Sequence, residues 1–81
     1  MNELKFKKNG FVAGIKQVTK CFNLRQLSKI YLSTDCDEKF YNTAMKAFGG
    51  GDIQIERIFT GEQLADSCSI DVKTAIVGLL K

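Results

Sequence analysis

The spacing of hydrophobic and polar positions changes several times along the chain, and each change marks an element. "NELKFKKNG" reads as a short first helix closed by Asn9-Gly10, a pair suited to a left-handed helix end. The apolar run "FVAG" then predicts a short buried strand. From residue 15 the spacing becomes helical, with Ile15, Val18, Cys21 and Phe22 turned inward over 15–25. "KIYLST" is rich in β-formers and predicts a second strand. Asp37 is placed to cap a third helix, whose inward stripe is Phe40, Tyr41, Ala44, Ala47 and Phe48. "GGGD" ends that helix.

"IQIERI" alternates cleanly and predicts a third strand. In "FTGEQL", Thr60 and Gln63 have the spacing of a capping box, and Phe59 and Leu64 that of a hydrophobic staple. A fourth helix therefore starts here and runs to about Cys68. The loop "SIDVK" leads into "TAIVGLL", an apolar run suited to a central strand. Helix and strand alternate throughout, which predicts an α/β fold: one domain over 1–81, built as a three-layer α/β/α sandwich around a four-stranded mixed sheet.

Composition narrows the class of protein. Apolar residues make up 44% of the chain and charged residues 26%, an ordinary balance for a globular domain. No apolar run reaches the roughly 18 residues of a membrane span, and no leader pattern is visible, so a cytoplasmic location is expected. Cys21, Cys36 and Cys68 are odd in number and widely spaced, a poor disulfide framework. Histidine is absent, which removes the commonest general base near neutral pH. Residues 1–29 carry seven basic side chains against one acid, whereas 30–81 carry five against eight. A polyanion partner and a merely solvated basic face both account for that asymmetry.

The chemical candidates are few. "TDCDE" groups Asp35, Cys36, Asp37 and Glu38, but caps and first-turn acids belong at a strand-to-helix turn. A small metal or thiol enzyme built on Asp35, Cys36 and Asp37 is the weakest reading. "GGGD" lacks the Gly-Lys-Ser/Thr of a phosphate loop. No catalysis, cofactor or metal is expected.

"GIKQVTK" is different. On a helix Lys16, Gln17 and Lys20 form one contiguous surface. Gly14 lets a partner's backbone come close to the helix start. The start itself offers free N–H groups to phosphate. Lysine can donate to guanine O6 and N7, and a glutamine amide can pair twice with a base edge.

At "GIKQVTK" the chain resembles the ribosomal and small-ribonucleoprotein family that binds kink-turn RNA, the L-seven-Ae and L-thirty-e type, above all its short bacterial members. That family typically shows Gly-Thr-Asn-Glu-Val-Thr-Lys, with Lys-Gln replacing Asn-Glu in some bacterial forms. The likeness extends to "YLSTDCDE" and "LADSCSIDVKTAIVGLL". It implies a non-catalytic protein whose partner is a kink-turn in structured RNA, in ribosomal RNA or a messenger leader; a monomer is expected, with neither DNA nor a membrane as partner. By position, Gly14 and Ile15 would open the RNA-facing helix, and Lys16 and Gln17 would meet guanines of sheared G·A pairs. Lys20 would meet guanine or phosphate. Ile70, Val72 and Lys73 would lie in the loop that covers bulged nucleotides, with the two apolar residues against an extruded base. Asp37 matches an acid that can touch the flipped nucleotide.

Several residues depart from the family pattern. Ile15 stands where a small or hydroxyl residue is usual, and Gly61 where many relatives have lysine. Ala65 and Ser69 replace glycines, and Asp66 adds an acid near the RNA-facing side. These departures motivate an alternative, a protein-interaction module on the same fold.

Overall fold

The computed structural model describes residues 10–70 and 72–81; the helix expected in "NELKFKKNG" lies outside them, apart from Gly10. The described chain runs β1 (Phe11–Ala13), α1 (Ile15–Asn23), β2 (Leu27–Leu32), α2 (Glu38–Phe48), β3 (Gln54–Glu56), α3 (Gly61–Ser67) and β4 (Ile76–Leu80). The four strands form one sheet in the order β1-β4-β2-β3. β4 pairs antiparallel with β1 and β2, and β2 pairs parallel with β3. β1, β2 and β3 therefore point one way and β4 the other.

Side-chain alternation divides the strands between two cores. On one face Ile30 and Leu32 of β2 and Ile76 of β4 pack with Val18 and Cys21 of α1 and Ala44 and Phe48 of α2. On the other, Tyr31 and Val77 pack with Leu64 and Cys68 from α3 and its end. The result is the expected α/β/α sandwich with a mixed sheet. Phe22 meets Phe48 edge-on at 4.9 Å between ring centres, joining the two helices of the first layer. Fully burying a side chain such as Phe48, Ile30 or Leu64 contributes about 1.5–3 kcal/mol.

Two expectations need correction. Ala47 is exposed rather than part of the α2 stripe: the helix meets the first core through the buried Ala44 and Phe48, with Phe40 and Tyr41 partly buried beside them. The third strand is three residues long and stops at Glu56. Arg57 leaves it because its guanidinium is held elsewhere: Nε donates to the Ser33 carbonyl at 3.0 Å, and the group lies 4.4 Å from the centre of the Tyr41 ring.

Both α1 and α3 end in the same backbone device. Arg25 and Ser69 take left-handed conformations, with φ of 57° and 58°. The amides that follow reach back to the last turn: Gln26 N–H to Cys21 O at 2.9 Å, and Ile70 N–H to Ala65 O at 2.8 Å. These are Schellman turns with a non-glycine residue at the left-handed position. Ser69 thus keeps the helix end that a glycine would favour.

Candidate functional site

Chain direction puts the carboxyl ends of β1, β2 and β3 at one end of the sheet, together with the amino ends of all three helices. Backbone hydrogen bonds tie this end together. Gly14 N–H donates to Ile76 O at 3.1 Å, Ser33 N–H to Ala75 O at 2.8 Å, and Thr34 N–H to Phe59 O at 2.8 Å. The start of α1, the β2–α2 turn, the start of α3 and the segment before β4 are therefore neighbours. In open α/β sheets this is the end at which ligands are bound.

The three helix starts are finished differently. At α2, Asp37 Oδ1 accepts from Phe40 N–H at 2.6 Å, and Glu38 adds an acid to the first turn. At α3 the capping box is complete: Gln63 N–H donates to Thr60 Oγ1 at 3.1 Å, and Thr60 N–H donates to Gln63 Oε1 at 2.9 Å. Asp35 adds to it across the chain, its Oδ1 accepting from Gly61 N–H at 2.8 Å. At α1 the N-cap is Gly14, with no side-chain cap and no acid in the first turn. The first intrahelical bond is Val18 N–H to Gly14 O at 3.0 Å, so the amides of Ile15, Lys16 and Gln17 lie ahead of it.

Gly14 has φ 93° and ψ 147°, a region that side chains on an L-residue strongly disfavour. A β-carbon there would meet nothing within 4 Å, so it is the backbone angle and not crowding that calls for glycine. That conformation turns the chain sharply from β1 into α1 and leaves the helix start uncovered by its own cap.

Lys16, Gln17 and Lys20 are exposed on α1 while Val18 and Cys21 face the core. Among the described residues, none of the three makes an ion pair or a side-chain hydrogen bond. Ile15 is half-buried against the first core, so its bulk turns away from the exposed stripe. Asp37 is occupied as a cap. Ile70 packs against the second core, as the residue after a Schellman turn commonly does. Val72 is 70% exposed and is the large apolar side chain that the loop presents. With Thr60, Gln63, Ile70 and Lys73 it lines a shallow depression of about 650 Å³, which Glu62 and Asp66 border.

Two contributors were missed from the sequence. Arg57 braces the β2–α2 turn through the Ser33 and Thr34 carbonyls. Asp35 joins that turn to α3, and the Gly61 amide, ahead of a small contribution from Lys73, holds its carboxyl below the usual carboxylate value. Neither role has a local signal, since both partners are more than twenty residues away in sequence. Among the described residues no three Cys, Asp or Glu side chains are grouped to hold a metal ion. Burial pushes the Cys68 thiol up to about 11, so it is a neutral core side chain. No helix among the described residues is long and apolar enough to cross a membrane.

No family model and no curated protein matches the sequence. The fold does match solved structures. A Bacillus halodurans protein of unknown function superposes with a TM-score of 0.81 at 16% identity, over 91% of this chain and 74% of its own. A 15.5 kD RNA-binding protein of Giardia lamblia gives a TM-score of 0.80, also at 16% identity, over 91% of this chain and 62% of its own. At that identity the likeness establishes a shared fold.

Proposed function

We propose that the chain is a non-catalytic RNA-binding protein that recognises a kink-turn or a similarly bent element. The observation that carries this reading is the start of α1. It is left open by Gly14, lacks any acid in its first turn, and presents Lys16, Gln17 and Lys20 on one exposed stripe. No side-chain N-cap is present, and with glycine in that place the helix forgoes only about a few tenths of a kcal/mol. Free amides and ammonium groups at that place suit phosphate, and Gln17 suits a base edge. Val72 stands at the same end of the sheet to meet an unstacked base, the way proteins commonly read distorted RNA. The fold shared with the Giardia RNA-binding protein supports the same reading.

Binding would stabilise the bent form by taking up that conformation alone, a population shift. The decisive experiment is a titration of kink-turn RNA against the same RNA with its G·A pairs made Watson–Crick, at fixed salt. Preference for the kink-turn is expected, with a log-log salt slope of about −2 to −3 for two or three phosphate contacts. Equal affinity for both RNAs, joined with a stable protein complex in pull-down, would favour the protein-interaction module instead. Ribosomal RNA and messenger leaders are the RNAs to try first.

A further inference from the structure

We propose that Asp35 is a positioning residue for the loop side of this interface: its two oxygens tie the start of α3 to the segment before β4 and hold the Lys73 ammonium back from the RNA. This deepens the RNA-binding reading and rests on it.

The carboxylate is divided between two tasks. Oδ1 accepts from Gly61 N–H at 2.8 Å, and Oδ2 lies 4.0 Å from Lys73 Nζ. A further backbone bond, Thr74 N–H to Gly61 O at 3.3 Å, closes the junction from the other side. Glycine at 61 leaves room for it. A β-carbon there would stand 3.2 Å from Thr74 O, 3.4 Å from Asp35 Oδ1 and 3.6 Å from Lys73 Cβ. A side chain there would need Thr74 O to give way slightly, while its contacts with Asp35 and Lys73 would be ordinary van der Waals ones.

The same contact has an electrostatic consequence. Among the described residues, Lys73 is the one cation on the depression bordered by Glu62 and Asp66. Its side chain is 71% exposed and keeps its reach, but Asp35 offsets its charge. An RNA phosphate would have to compete with Asp35 for it, whereas Lys16 and Lys20 on α1 have no such competitor among the described residues. The two sides of the interface thus differ in charge available, and one carboxylate sets the difference.

The test is a double-mutant cycle with Asp35→Asn and Lys73→Met, titrated against kink-turn RNA and its Watson–Crick control. Asn keeps a carbonyl oxygen for Gly61 N–H and removes the charge. Asp35→Asn is expected to bind the kink-turn about two- to fivefold more tightly at low salt, the scale of one exposed ion pair. Its salt slope should steepen by about 0.7–0.9, one added phosphate contact. Lys73→Met alone should cost less than about twofold, and in the Asp35→Asn background it should abolish the gain. A role confined to holding the backbone would move neither the slope nor the cycle. Unchanged affinity in Asp35→Asn, or a gain that survives Lys73→Met, overturns the inference while the kink-turn preference of the wild type stands. Loss of that preference in the wild type removes the RNA reading, and this inference falls with it.

Discussion

The starts of α1 and α3 lie at the same end of one sheet, and they are built on opposite principles. α3 is a seven-residue helix whose first turn is closed three times over, by Thr60, by Gln63 and by Asp35 from a distant turn. α1 is longer, at nine residues, and among the described residues its first turn is closed by nothing but the backbone of Gly14. Orphan amides cost little where water reaches them, so the difference is one of availability more than of stability. Both helices are anchored in a core, α1 by Val18 and Cys21 and α3 by Leu64 and Ala65, so core burial does not account for the open start of α1. Among the described helices, that contrast is the reason the start of α1 is the one proposed as a place for a ligand.

Substitution at Gly14 tests the contrast most severely. Gly14→Ala puts a β-carbon on a residue at φ 93°, and strain of this kind costs about 1–3 kcal/mol. Urea unfolding should show that loss of stability, and kink-turn affinity should fall as the start of α1 shifts. A variant as stable and as tight-binding as the wild type would mean the turn is not what exposes the helix.

The next pair of variants should exchange phenotypes. Gln17→Ala removes an exposed side chain and is expected to leave unfolding unchanged while costing about 1–3 kcal/mol of kink-turn binding, with weaker rejection of the Watson–Crick control. Thr60→Ala removes half of the capping box and should lower stability by about 0.5–2 kcal/mol with affinity nearly intact. Lys46→Ala, in the last turn of α2 and so at the far end of the sheet, is the control that should move neither. If Gln17→Ala and Lys46→Ala behaved alike, Gln17 would not be reading a base.

What the sequence made legible follows the same division between local and distant. The capping box at Thr60 and Gln63 was readable because all its atoms lie within one turn. The strand in "TAIVGLL" and the helical stripe of Val18 and Cys21 were readable from periodicity, and so was the exposure of Lys16, Gln17 and Lys20 opposite that stripe. Ala47 was misplaced because a stripe wide enough to bury it would need a second surface against α2, which the sheet does not provide. Ile70, expected against an extruded base, is folded back onto the second core by the turn at Ser69. Arg57 and Asp35 could not be read at all, since each acts on a partner that only the order β1-β4-β2-β3 brings near.

The smallest expected effect concerns acid, and it bears on α3 alone. Asp35 is held below its usual value of 3.8 chiefly by the Gly61 amide, so folding favours the ionised carboxylate. A depressed native value means the stabilisation is complete above the unfolded value and is lost as pH falls through the native one. Between neutral pH and about pH 5 no change is expected from this group, and below about pH 4 stability should decline as the proton returns. Asp35→Asn has no proton to take up and should show a shallower acid limb in urea titrations at matched salt. No carboxylate caps α1, so protonation removes nothing from its start, and exchange at the Val18 amide, the first one bonded in that helix, should show no acid-linked opening across the same range. Exchange at Gly61 should instead quicken ahead of global unfolding in acid, because the Asp35 oxygen that accepts its proton is the group being neutralised. Equal behaviour of the two helix starts below pH 4 would show that Asp35 does not fasten one of them.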